Sequence, residues 1–265
     1  MDAILSRLFS SEEEELYVLD CLGYFMIVMA ACTFVALLFQ DVPYGRYAPS
    51  TARFRVDARI AWFVQELPAF LVPFCLVVWT SSAKTSLLPN QLVIAMYFCH
   101  YIQRSLIYPF LIRGGKPTPL DSFVLAIMFC MYNGYMQIRY LSHYADYPAH
   151  WVTHPRFIAG SVLWLVGWLV NMHSDHILRN LRKPGETGYK IPTGGLFEYV
   201  SGANFLGEIT EWAGFALAGY SVHSTAFAIS TAVVLSSRAV SHHKWYHAKF
   251  EDYPKSRKAL IPFLF

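Results

Sequence analysis

Apolar runs of roughly membrane-spanning length alternate with short polar connections along the whole chain. A helix crosses a hydrocarbon core with about 20 predominantly apolar residues, and windows of that length predict helices over 16–39, 59–81, 91–112, 119–139, 157–178, 203–221 and 223–240. The last two are the most polar. Asn204, Glu208 and Glu211 interrupt one and a Ser/Thr-rich run interrupts the other, so these two are expected to be kinked, short or packed against protein. The predicted fold class is all-α, a polytopic membrane protein of seven transmembrane helices. No internal repeat, linker or break in composition divides it, which predicts a single integral membrane domain over 1–265.

Basic residues orient this pattern. Arg46, Arg53, Arg55 and Arg59 follow the first run, Arg113 and Lys116 the third, Arg179, Arg182, Lys183 and Lys190 the fifth, and Arg238, Lys244, Lys249, Lys255, Arg257 and Lys258 the last. Cytosolic loops retain Lys and Arg, so an odd number of spans with the N terminus outside and the C terminus in the cytosol is expected. The net charge of +3 then belongs to one membrane face, and no nucleic-acid partner is predicted. With 55% hydrophobic and only 15% charged residues, the composition is far from that of a soluble domain. The opening MDAILSRLFSSEEEELY has no basic stretch leading into a short apolar core, so no removable signal is predicted. All five cysteines fall inside predicted spans, where a disulfide framework is not expected.

Glu66 stands in the middle of ARIAWFVQELPAFLVPFCLVVWT. A carboxylate in hydrocarbon costs roughly 2.5–3.5 kcal/mol or more, which makes it a functional candidate by default. The bland alternative is a structural ion pair with Arg104, but such a pair recovers little more than its desolvation cost. Pro68 frees a carbonyl one turn earlier, as a cavity wall would. In the next span Tyr101, Arg104, Ser105 and Tyr108 have the i, i+3, i+4, i+7 spacing of one helix face. Asn171, Asp175, Arg179 and Arg182 form a second polar stripe, and Asn204, Glu208 and Glu211 a third. Singly, an Asn or Ser in a membrane helix is usually interhelical glue. Three stripes together predict a polar cavity open to the cytosol.

Arginines at 46, 113, 179, 182 and 238 around its mouth suit phosphates, because a guanidinium offers paired donors. A phosphorylated cofactor is therefore expected, held by helices and loops, since neither G-x-G-x-x-G after a strand nor a Walker lysine occurs. His173-x-x-His176 and His242-His243-x-x-x-His247 have ligand-like spacing. The remaining histidines are scattered, so the histidine clusters of membrane di-iron oxygenases are not matched and no metal is predicted.

The stretches NMHSDHILRNLRKPGETGYKIPTGGLFEYVSGANFLGEITEWAGFAL and HHKWYHAKFEDYPKSRKALIPFLF, with AWFVQELP, HYIQRSLIYPFLIRGGKP and the YGRYAPS loop, resemble the steroid 5α-reductases. The resemblance runs from about Tyr44 to Phe265, and YGRY, RGGKP and RYLSH are most similar to the type 1 branch. It implies a monomeric endoplasmic-reticulum enzyme with cytosolic loops closing over a cofactor cavity. That enzyme takes NADPH from the cytosol to reduce the Δ4 bond of 3-oxo-Δ4 steroids such as testosterone and progesterone. Residues 1–117 would carry the substrate-polarising helices and 118–265 the NADPH-binding part. By position, Glu66 and Tyr101 match the catalytic pair. The cofactor set matches Tyr44, Arg46, Arg113, Asn171, Asp175, Arg179, Arg182, Tyr189, Asn204, Glu208, Arg238, His242 and Tyr246. Trp62, Gln65, Arg104, Trp212, Phe227 and Leu235 would face the steroid. The run AFAISTAVVLSSR departs from the Phe-richer family pattern, and Val234 leaves more room than an aromatic. Two other readings stand beside it: a relative outside this activity (an isoprenylcysteine-type methyltransferase using S-adenosylmethionine, or another sterol reductase), and a sterol-binding or transport protein that consumes no NADPH.

Overall fold

The computed structural model describes residues 2–40, 45–48, 51, 53–183, 185–186 and 188–265. The chain is mostly helical, 74%. Helix α1 (Asp2–Leu8) precedes α2 (Glu12–Leu37), which Ser11 caps by accepting from the Glu14 amide. The four glutamates of the first turn of α2 suit the positive end of its dipole. Then come α3 (Ala58–Trp79), α4 (Leu88–Tyr101), a π-turn over Ile102–Ile107 and α5 (Tyr108–Leu111). Next are α6 (Leu120–Arg139), α7 (Pro155–Asn180), α8 (Ala203–Gly219) and α9 (Val222–Lys249). Among the described residues α2, α3 and α7 are long and apolar enough to cross a membrane.

The π-turn alters the expected polar face of the third run. Tyr108 donates its amide to Gln103 O, five residues back, and Pro109 has no amide to resume the α-helical ladder. Arg104 and Ser105 therefore sit in a wider turn than simple i, i+3, i+4 spacing implies. Ser105 Oγ uses this to donate to Glu66 O at 2.9 Å, joining the turn to α3.

Helices α7 and α8 approach almost backbone to backbone. A Cβ on Gly167 would lie 2.2 Å from the Glu211 nitrogen, one on Gly214 2.2 Å from the Trp164 nitrogen, and one on Gly207 2.5 Å from the Asn171 nitrogen. Small residues allow such contacts where no hydrophobic force drives helices together. The consequence is that Asn171 and Asp175 on α7 and Asn204, Glu208 and Glu211 on α8 form one rigid polar assembly. Helix α8 is enclosed by protein along nearly its whole length. Ala213 is its single exposed residue, and α9 restarts after it through a Ser221–Ser224 capping box. At the opposite end of the molecule from the loop arginines, Glu15 accepts from Arg139 Nε and Nη2 at 2.8 and 2.7 Å and from the Tyr135 and Tyr144 hydroxyls, tying α2 to α6.

Two small backbone pairings gather the loops. Strand β1 (Arg55–Val56) pairs antiparallel with β2 (Thr118–Pro119), bringing Lys116 Nζ to Arg46 O at 3.2 Å. The C-terminal tail folds back so that Ser201 N donates to Lys258 O and Gly202 N to Ala259 O. Arg257 seals it by donating to Pro192 O at 2.8 Å.

Candidate functional site

A cavity of about 490 Å³ opens among α2, α3, the end of α4, α6, α8 and α9. Its wall combines the apolar side chains Met26, Met29, Phe129 and Val234 with Glu66, Tyr101 and Arg104. Of the residues expected to face a steroid, Trp62, Gln65, Arg104, Phe227 and Leu235 line it. Trp212 does not. It is 1% exposed and packs behind the wall, 4.4 Å from the Phe227 ring and 6.0 Å from that of Tyr101.

Glu66 and Arg104 make no ion pair among the described contacts. Gln65 Nε2 donates to Glu66 Oε1 at 3.4 Å, and Cys130 Sγ lies 3.7 Å from Oε2. Arg104 instead reaches across to Asp175 at 3.4 Å and Glu208 at 3.2 Å, while its guanidinium lies 4.7 Å from the Trp62 ring and 5.2 Å from that of Tyr108. Placing its charge between two carboxylates keeps α7 and α8 locked to the π-turn. Glu66 is thereby left to weaker donors, with its carboxyl on the cavity wall.

A second cavity of about 430 Å³ is lined by Gly45, Arg46, Lys116, Arg182, Tyr189, Arg238 and His242. It adjoins the first through α9, where Leu235 of one wall and Arg238 of the other are one turn apart. Arg46 sits in an aromatic cage, its guanidinium carbon 4.3 Å from the Trp245 ring and 5.0 Å from those of Tyr189 and Tyr246. Arg46 Nη2 donates to the Tyr246 hydroxyl at 3.4 Å. Arg46 Nη1, Arg179 Nη1 and His242 Nε2 are buried without a hydrogen-bond partner among the described residues. Buried polar groups of this kind are costly unless something completes them. His242 lies past the predicted span 223–240; burial first, then the nearby Arg46 and Arg238 charges, hold its imidazole well below the ordinary histidine range. It lines this cavity.

The remaining expected cofactor positions are distributed between these two places. Asn171 Nδ2 donates to Asn204 O at 3.0 Å and to Glu208 at 3.4 Å, beside the Asp175–Arg104 contact. Arg113 is farther out, donating to Asn180 at 3.2 Å. Tyr44 lies outside the described residues. Among those residues no group of three or more His, Cys, Asp and Glu side chains assembles as a metal site.

Sequence reading missed the contribution of α2, whose Phe25, Met26, Met29, Ala30 and Thr33 form part of the first cavity. An apolar side chain facing a cavity and one facing lipid look alike in hydropathy, so no signal distinguished them. His100, set aside as scattered, also lines this wall and contacts Glu211.

Comparison with known proteins places the chain in a class. A family model described as 3-oxo-5-alpha-steroid 4-dehydrogenase matches residues 116–265. The 3-oxo-5-alpha-steroid 4-dehydrogenase 1 of Rattus norvegicus is 57% identical over 253 residues, 96% of this chain and 98% of its own length. The Bos taurus protein of the same name is 55% identical over 255 residues, 96% of this chain and 99% of its own length. The 3-oxo-5-alpha-steroid 4-dehydrogenase 2 of Sus scrofa is 49% identical over 241 residues, covering 89% and 94%. These are oxidoreductases of steroid metabolism by name. The chain belongs to the 3-oxo-5-alpha-steroid 4-dehydrogenase family.

Proposed function

We propose that this chain is an NADPH-dependent reductase that saturates the Δ4 bond of 3-oxo-Δ4 steroids, testosterone and progesterone among them, to give 5α-3-oxosteroids. In this reading it is one domain of seven spans in the endoplasmic-reticulum membrane, with a lumenal N terminus and a cytosolic C terminus, active as a monomer. The observation that carries the reading is the juxtaposition of two cavities. One presents a carboxyl and a phenol in an apolar wall, and the adjoining one is lined by Arg46, Arg182 and Arg238.

Arg46, Arg182 and Arg238 hold the phosphates of NADPH, with Arg113 and Arg179 nearer the rim and His242, Tyr189 and Tyr246 packing around them. Asp175 takes a ribose hydroxyl, and Asn171, Asn204 and Glu208 take amide groups. The incomplete donors on Arg46, Arg179 and His242 fit that role. NADPH, when bound, supplies the hydride. Reduction of an enone at C5 drives negative charge onto the C3 oxygen, so the protein's task is to stabilise an enolate. Tyr101 donates its hydroxyl hydrogen bond to that oxygen, and a protonated Glu66 donates beside it. Preorganised donors in a water-poor wall stabilise developing charge without reorganising. Trp62, Phe227, Leu235 and Val234 supply the flat apolar surface for the rings.

The test is steroid reduction by membranes containing this chain, using NADPH deuterated at C4 on either face. Deuterium at C5 on the α face, lost in Tyr101→Phe, supports both the reaction and the role of Tyr101. Absence of NADPH-dependent product from any 3-oxo-Δ4 steroid sinks the reading. Full turnover by Glu66→Gln, with Glu66→Ala impaired in binding alone, removes the proton on Glu66 from the mechanism.

A further inference from the structure

The proposed mechanism accounts for the hydride and for the C3 oxygen, but saturating the double bond also requires a proton at C4. We infer that His100, held in place by Glu211, delivers that proton. This inference rests on the reductase reading above.

The two side chains form a buried pair, His100 Nδ1 to Glu211 Oε1 at 2.8 Å, with side-chain exposures of 5% and 0%. A buried ion pair is a poor source of stability, and the polarising machinery at C3 does not use it. The pair also has a direction. His100 lines the first cavity, whereas Glu211 lies behind it on α8, fixed by the backbone contact between Gly167 and the Glu211 nitrogen. With Nδ1–H donating to Glu211, Nε2–H is the donor left for the cavity. The neighbouring carboxylate orients the ring and stabilises its imidazolium form, as second partners of catalytic histidines do. Glu66, Asp175, Glu208 and Arg104 are the other titratable or charged groups near the pair, and Arg104 is committed to Asp175 and Glu208.

Position agrees with the chemistry. C4 is bonded to C3, so a donor to C4 has to stand beside the group that binds the C3 oxygen. The His100 and Tyr101 ring centroids are 4.9 Å apart at 74°. Glu66 and Tyr101, on the same wall, are committed to the C3 oxygen in the proposed mechanism; the hydroxyl and thiol groups that remain, Cys130, Tyr132, Ser230 and Thr231 among them, are weak acids near neutrality, and the Tyr132 hydroxyl already donates to Leu22 O.

The step balances. Hydride adds to C5, and the C4=C5 π pair moves to form the C3–C4 enolate. The enolate then collapses to the C3 ketone as C4 takes the proton from His100 Nε2. His100 becomes neutral and regains a proton from water after the product leaves. The nicotinamide is oxidised and the steroid reduced, with one hydrogen from each source.

The test compares wild type, His100→Gln and Glu211→Gln as full-length proteins in D2O with NADPH and testosterone, after NADPH quenching of tryptophan fluorescence has confirmed folding. Wild type is expected to place solvent deuterium on one face of C4. His100→Gln is expected to lose on the order of 100-fold in kcat, with little change in KM, to retain C5 label from deuterated NADPH in a single turnover, and to lose facial selectivity at C4. Glu211→Gln is expected to lower kcat by about 10-fold with KM unchanged, as a positioning residue would. Wild-type kcat and C4 selectivity in folded His100→Gln overturn the inference while leaving the reductase reading intact. If His100→Gln fails to bind NADPH, Glu211→Gln decides: a kcat loss at unchanged KM supports the relay and wild-type kcat overturns it. No C5 label even in wild type means that the reductase reading itself has failed.

Discussion

Helices α2 and α8 are both apolar runs, yet they serve opposite purposes. Helix α2 buries one narrow stripe, Glu15, Leu19, Gly23, Met26 and Ala30, and leaves Tyr17, Phe25, Val28 and Phe34 more than half exposed. Helix α8 exposes little more than Ala213 and carries three buried or half-buried acidic and amide side chains. The first is apolar because lipid is its solvent in the proposed orientation. The second is apolar because it is the interior. A helix surrounded by protein tolerates Glu208 and Glu211, since Glu208 finds partners on the π-turn and α7 and Glu211 finds His100 on α4, whereas the same residues on α2 would face hydrocarbon.

Perturbing the two helices should separate these roles. The largest effect is expected from Gly167→Ala, whose Cβ meets the Glu211 backbone nitrogen at 2.2 Å. Backbone cannot rotate aside, so the α7–α8 pair has to separate, at a cost of about 3 kcal/mol or more. Thermal unfolding in detergent should show a large drop, together with loss of NADPH binding; an unchanged midpoint would mean that the helices do not pack this tightly.

A smaller effect is expected from pH. The His242 imidazole is held well below the ordinary range in the folded protein, chiefly by burial, so between its folded value and about pH 6.5 the unfolded chain binds a proton that the native state does not. Stability should therefore fall as pH drops below about 6.5, by at most about 1.4 kcal/mol per pH unit from this group. Replacing His242 by Gln should flatten the acid side of a pH–melting curve, and an equal slope in the variant would remove His242 as its source.

The smallest effect belongs to the outer face of α2. Val28→Leu, at a position 58% exposed, is expected to shift stability by no more than about 0.5 kcal/mol and to leave turnover at the wild-type level. A loss of several kcal/mol there would show that this face is covered by something other than lipid.

The same contrast explains what the sequence made legible. Long apolar runs locate helices well because lipid and interior both demand apolar surface; Glu66 is conspicuous because charge in such a run is costly, Tyr101 because it shares a helix face with Arg104, and the arginines because they gather in the connections. Which helix lay inside was harder to read. The tight α7–α8 contact depends on Gly160, Gly167, Gly207 and Gly214 meeting across two segments, and no single run reveals that pairing. The π-turn at Ile102–Ile107 depends on a shift of hydrogen bonds before Pro109, which moved Arg104 away from Glu66 and toward Asp175 and Glu208. Trp212 illustrates the same gap. Its place on α8 was legible, but its position behind Tyr101 and Phe227, rather than on the cavity wall, arises from packing among distant aromatics.

In the proposed mechanism Glu66 and Tyr101 act together on one oxygen. The direct measurement is a double-mutant cycle of kcat/KM for testosterone with Tyr101→Phe, Glu66→Gln and the combined variant. Each single change is expected to cost on the order of 100-fold and the double variant to be little worse than either, because the two donors stabilise the same developing charge as a unit. Losses that multiply independently would contradict it.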